Sequence, residues 1–308
     1  MKQVVPSVPR AYVVNRDSKT VSVIDTIGNT VIATIPVGDF PTGVAVDSAR
    51  AWAYVANQDS DTVSVIDTNT NTVTTTIPIG VGSVPSGVAV DSPRARAYVA
   101  NQGVGGTVTV IDTTTNTVTA TIHVGVSKLS FGVAVDSAGD RAYVASHGTS
   151  GTVSVIDTNT NTVTATIPVG TTAACLDVDP TRAHLYVTGT DGTSDVVSVI
   201  DANTNAVIDT IPISSPSFGL AVDPIRARAY VAAMTSNVVL VIDTNTNAVI
   251  ATIPVGSFVF GAAVDLTWAR AFVINAADGT LSVIDTNTNA VTATVAGLGD
   301  FPYAVALG

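Results

Sequence analysis

The chain has 308 residues, a formal net charge of −11 and only 12% charged residues against 46% hydrophobic ones, and every one of its 24 acids is Asp. An acidic chain with no basic run is not built to neutralise a phosphate backbone, which argues against nucleic acid. The single cysteine, Cys175, excludes an internal disulfide, and no run approaches the ~20 apolar residues of a membrane span. With Glu absent and Val, Thr and Ile abundant where helix formers would stand, an almost helix-free chain is predicted.

From the N-terminus, Met1 to Arg10 carries Lys2 but no apolar core of signal-peptide length. The first strand-like run is Ala11-Tyr-Val-Val14, followed by Val21-Ser-Val-Ile-Asp25 and a third run that ends at Pro36. The Asp that closes Val-Ile-Asp then recurs at 25, 67, 112, 157, 201, 243 and 285, at spacings of 42, 45, 45, 44, 42 and 42. A period near 40 to 45 with four strand-like runs is the pattern of a propeller blade. The predicted fold is therefore all-β: a seven-bladed β-propeller with four antiparallel strands per blade, one domain over 1–308.

In the fourth repeat the runs are Gly132–Asp136, Arg141–Ala145, Thr152–Asp157 and Thr162–Val169, here called A to D from the channel outward. Pro36, Pro78, Pro168, Pro212 and Pro254 fall in D, where an edge strand tolerates a missing N–H. The chain begins on a B run and finishes on an A-like run, Tyr303–Gly308, which predicts that the last strand completes the first blade and closes the ring.

Ala-Tyr-Val-Ala-Asn at 53 to 57 and 97 to 101, followed by Val-Ser-Val-Ile-Asp-Thr and Asn-Thr-Val-Thr-Ala-Thr-Ile-Pro-Val-Gly, resembles the YVTN repeat family of β-propellers over nearly the whole chain. The resemblance implies a scaffold of bacterial and archaeal proteins, periplasmic or cell-surface where a signal precedes the chain; it does not imply one activity. Propeller lactonases and virginiamycin-type lyases, to which such a fold is similar, use metal-bound acids or a His with a Glu. Without Glu, that chemistry does not carry over.

Alternating strands put the A–B and C–D turns on one, basal, face of the disc and the B–C and D–A loops on the other. The near-identical C–D turns, such as Asp67-Thr-Asn-Thr-Asn-Thr72, read as folding devices. Also basal, six A strands end in Asp (47, 91, 136, 179, 223 and 265) and five B strands open with Arg (10, 96, 141, 228 and 270), which predicts exposed ion pairs between them.

The opposite face is where the repeats differ, so candidate functional residues lie there. Residues before the A strands include Phe131, Phe218, Phe260 and Tyr303, while residues following the B strands include Arg16, Gln58, Gln102, His147 and Met234. Apolar groups on one side and polar ones on the other suit an amphipathic ligand, although the same aromatics could plug the channel. His147 is the histidine placed for acid–base work. Asp177 replaces an Ala found at 45, 89, 134 and 221, and Cys175 replaces a Gly, so blade 5 departs from the repeat twice beside the channel.

These observations predict a monomeric protein that binds a small molecule, a peptide or another protein at the mouth formed by the D–A and B–C loops. The alternative is a lyase, cyclase or hydrolase using His147, Asp177 and Arg16, with Cys175 among the ligand contacts. No cofactor motif or His/Cys metal pattern is present. Asp59-Ser60-Asp61 offers the oxygen ligands that Ca²⁺ or Mg²⁺ takes.

Overall fold

The computed structural model describes residues 9–103, 105–125 and 129–308. Among them are 28 strands and no helix, arranged as seven four-stranded antiparallel sheets in a ring. Blade 1 takes strands B, C and D from Arg10–Asn15, Thr20–Asp25 and Thr30–Pro36, and its strand A from Pro302–Leu307. Blades 2 to 7 each run from A to D in chain order, with strands A at Pro41–Asp47, Pro85–Asp91, Leu129–Asp136, Thr172–Asp179, Leu220–Asp223 and Val259–Asp265. The closing strand pairs Ala11 with Leu307 and Val13 with Val305, and a reciprocal pair of backbone bonds joins Arg10 and Gly308 at 2.9 and 3.0 Å. The ring thus has no missing strand.

Strands B and C are buried on both faces because each blade is sandwiched between two others, so they read as continuous apolar runs. In the cluster between blades 2 and 3, Tyr54, Ala56, Val63, Val65 and Ile77 pack on Ala97, Val99 and Ile111, and the other junctions repeat this. Strand D alternates exposed and covered residues up to a buried Ile, as in Thr30–Pro36. In every blade a β-bulge shifts the C–D register at the same point, between Val65 and Ile66 in blade 2. Thr74, Thr119, Thr164 and Thr292 stand at the bulge, each donating to a strand C carbonyl at 3.2 to 3.3 Å. The bulge adds local twist, which a fanned blade requires.

The repeated C-strand Asp caps the turn that follows it. Asp157 Oδ1 accepts the N–H groups of Asn159 and Thr160 at 2.8 and 2.9 Å, which holds its carboxyl below the ordinary value. Two residues beyond Asn159 the turn places Asn161 at φ 56°, a left-handed conformation that Asn tolerates. At four junctions such Asn side chains serve the preceding blade, as where Tyr54 donates to Asn116 at 2.7 Å and Tyr98 to Asn161 at 3.3 Å, while the Tyr12 and Tyr143 hydroxyls find no partner among the described residues. At those four junctions the turn both closes its own hairpin and ties down the neighbouring one.

The predicted basal ion pairs are corrected by the structure. Arg10, Arg96, Arg141, Arg228 and Arg270 reach across to backbone carbonyls of the next blade's C–D turn, as Arg228 does to Thr286 at 3.1 Å. The carboxylates of Asp47, Asp91, Asp179 and Asp223 are instead paired at 2.9 to 3.1 Å with an arginine three residues on: Arg50, Arg94, Arg182 and Arg226. Those four Asp residues are completely buried, not exposed. A tight A–B turn folds the i+3 guanidinium back over the strand end, whereas a B-strand side chain projects from the sheet toward the neighbouring blade.

Candidate binding site at the channel mouth

The seven A strands meet around the axis, and among the described residues cavities lie at two levels along it. The upper one, toward the D–A loops, measures ≈ 180 Å³ and the lower one ≈ 440 Å³. At the upper level the wall contains Gly43, Gly87, Gly132, Cys175, Gly219, Gly261 and Ala304, one from each blade. Glycine is required where the strands crowd: a Cβ on Gly43 would lie 2.0 Å from the Ser86 carbonyl oxygen of the next blade.

Above this ring, Thr42, Ser86, Phe131, Phe218 and Tyr303 line the cavity, with Gln102 reaching in from a B–C loop. Thr42 donates to the Pro85 carbonyl at 3.2 Å and Ser86 to the Ala100 carbonyl at 3.1 Å, so both hydroxyls are committed to the walls. The Gln102 side chain makes no hydrogen bond among the described residues. Phe218 is 37% exposed. It follows a segment containing Pro212 and Pro216, and strand A of its blade has only four residues, Leu220–Asp223.

Phe260, expected at the mouth, lies 6% exposed beneath it. Its ring stacks on Phe218 at 5.8 Å and meets Tyr303 at 4.8 Å, with Phe258 and Phe301 packed around it. Met234 joins the same apolar cluster. Arg16 spreads its guanidinium carbon 4.0 Å from the Phe301 ring centroid, 4.6 Å from Phe40 and 5.6 Å from Tyr303, while its Nε contacts Asp17 at 3.1 Å. The charge is thus held against aromatic faces at the junction of blades 7, 1 and 2. Gln58 donates its backbone N–H to the Phe40 carbonyl at 3.0 Å and is not part of the cavity wall.

Phe40, Phe258 and Phe301 did not stand out from the repeat. They occupy the D–A corner at φ 53°, 59° and 50°. The available signal was an aromatic immediately before the first residue of strand A, as in Asp39-Phe40-Pro41 and Asp300-Phe301-Pro302.

The residues expected to carry chemistry lie apart. His147 packs edge-on against Phe131, with centroids 5.8 Å apart, and is not part of the cavity wall. Cys175 lines the upper cavity, but burial pushes its thiol up to about 11, so it is protonated at neutral pH. Asp177 lines the lower cavity, where it accepts the Val178 and Val222 N–H groups at 2.8 Å each. Burial there raises its carboxyl to about 6, against the opposing pull of those two donors.

In the Asp59-Ser60-Asp61 segment, the two Asp61 oxygens accept the Gly82 and Val84 N–H groups at 2.7 and 2.8 Å, and Ser60 caps Asp39 N–H at 2.7 Å. Both Asp61 oxygens therefore brace the D–A loop of the next blade. Among the described residues no group of three or more His, Cys, Asp or Glu is placed to hold a metal ion, and no helix is long and apolar enough to cross a membrane.

No family model matches the chain, and no curated protein matches it. Among solved structures, a chain of hydrazine synthase from Kuenenia stuttgartiensis superposes with a TM-score of 0.82 at 18% identity, covering 89% of this chain and 92% of that one. At that identity the similarity establishes the seven-bladed propeller fold and nothing about chemistry.

Proposed function

We propose that this is a propeller binding protein of the YVTN-like type, which recognises a small amphipathic ligand or one apolar side chain of a partner peptide at the channel mouth. The observation that carries the reading is the pairing of an exposed phenylalanine, Phe218, with the uncommitted amide of Gln102 at the rim of one cavity. At ≈ 180 Å³ the cavity is smaller than the ~300 Å³ at which pockets for drug-sized ligands begin. It matches a single ring, since a cavity of about 150 Å³ holds benzene. The polar remainder of the ligand would lie across Gln102 and the D–A loops.

Binding is favoured over catalysis because a protonated thiol and a carboxylate in the other cavity do not converge on one reacting atom. The test is saturation-transfer NMR with single-ring amphiphiles, such as phenylacetamide, and tripeptides with a central Phe. Transfer from the wild type should fall at least about tenfold in Phe218→Ala and in Gln102→Ala, the loss expected when a central contact is truncated. Equal transfer to wild type and both variants, or none to wild type, would sink the proposal.

A further inference from the structure

The basal face has its own departure from the repeat, far from the channel mouth. In blades 3, 5 and 6 the A–B turn arginine crosses to an Asn in the C–D turn of the next blade: Arg94 to Asn159 at 3.3 Å, Arg182 to Asn245 at 2.8 Å and Arg226 to Asn287 at 3.0 Å. Where blade 7 meets blade 1, both members of this pair are replaced. Trp268 stands in the arginine position, three residues after Asp265, and Ile27 in the asparagine position, two after Asp25. They are 52% and 55% exposed.

Two further apolar side chains stand in the adjoining turns, Leu266 at 38% and Ile225 at 69% exposed; the Leu266 carbonyl accepts from Arg226 at 3.5 Å, which ties the two turns together. Every large apolar side chain exposed in the basal turns thus belongs to blades 6, 7 and 1 among the described residues. The replacement also removes a charge. Asp47, Asp91, Asp179 and Asp223 each keep their turn arginine, Asp136 has Gly139 at that place, and Asp265 has Trp268, which alone of the two puts an exposed apolar group there. Its Oδ1 accepts the Thr267 and Trp268 N–H groups at 2.9 and 3.1 Å, and it forms no ion pair among the described residues.

We infer that the basal face of blades 6, 7 and 1 docks a partner protein segment that presents Arg or Lys beside apolar side chains, its cation taking the place of the missing turn arginine at Asp265 and Trp268. A cation there gains both a carboxylate and an aromatic face. The neighbouring Leu266, Ile225 and Ile27 accept the apolar flanks. The net charge of −11 favours a basic partner and opposes a second copy of this chain. Four partly exposed side chains offer on the order of 300 Å². That falls short of the ~800 Å² each partner gives to a standard interface, and a short segment needs less.

The test uses fluorescence anisotropy of labelled Gly-Arg-Leu-Leu-Arg-Gly and its counterpart with Glu in place of Arg, against the whole protein. The basic peptide should bind the wild type saturably and the acidic one at least about tenfold more weakly. Ile27→Asn/Trp268→Arg restores the pair used elsewhere in the ring, so it should melt no lower than the wild type while binding about tenfold more weakly. Trp268→Ala should lose a similar factor without adding charge, and Asp265→Asn about threefold. Equal binding of both peptides, wild-type affinity in Trp268→Ala, or no binding by the wild type would overturn the inference. So would a wild-type dimer in sedimentation that Ile27→Asn/Trp268→Arg dissolves, because the occupant would then be a second copy.

Discussion

Replacing Asp177 with Ala, the residue at this level in all six other blades, should remove a pH-dependent burden from the folded state. The carboxyl lies half-buried in the lower cavity wall, with a folded value of about 6 against an ordinary 3.8. Each tenfold change in proton affinity is worth about 1.4 kcal/mol, so ionising Asp177 costs the folded protein up to about 3 kcal/mol, less whatever water in the channel screens. Because the folded value is the higher one, the unfolded chain binds fewer protons between pH 4 and 6. Wild-type stability at this site is therefore greatest below pH 4 and is lost as pH rises through 6. The variant lacks that slope, and its stability relative to wild type should rise by about 3 kcal/mol between pH 3.5 and pH 8. Urea unfolding across a pH series measures this from the midpoints at constant m. A relative stability that is flat, or that falls with pH, would refute the reasoning, because the two backbone donors at 2.8 Å would then outweigh burial.

Two other perturbations probe the blade junctions. Phe272 stands where six blades carry a buried Tyr, four of which donate to the turn Asn of the next blade, and the Asn29 oxygen in the corresponding turn of blade 1 is unpaired among the described residues. Phe272→Tyr should stabilise the protein by about 1 kcal/mol and Tyr54→Phe, which deprives Asn116 of its donor, should cost about the same in guanidinium unfolding. Gly43→Ala should cost about 1 to 3 kcal/mol as the Ser86 strand is pushed away, whereas Gly28→Ala, with only ordinary contacts in an exposed turn, should be near neutral. Thermal melting of the two variants side by side gives the comparison.

The blade hairpin was legible because its causes are local. Asp157 bonds N–H groups two and three residues ahead, and strands B and C declare themselves by β-branched composition. Ring closure by Pro302–Leu307 was equally readable, since the missing A run at one end and the surplus run at the other have one economical solution. Phe131, Cys175, Phe218 and Tyr303 emerged from subtraction of the repeat and do line one cavity, together with Gln102. Phe260 and Met234 emerged by the same subtraction and pack beneath the mouth, because alignment identifies a level in the ring and cannot give the depth of a side chain.

Composition, period and turn chemistry thus specify an all-β ring of seven four-stranded blades, because backbone hydrogen bonding and two-residue alternation act over a few residues. The partners of Tyr54, Arg94 and Arg228 lie about 60 residues away in sequence, and the shared surface around Trp268 joins residues from opposite ends of the chain. Those contacts depend on the rotation and stagger of one blade against the next. Side-chain direction across that junction is a product of packing, and no local pattern encodes it.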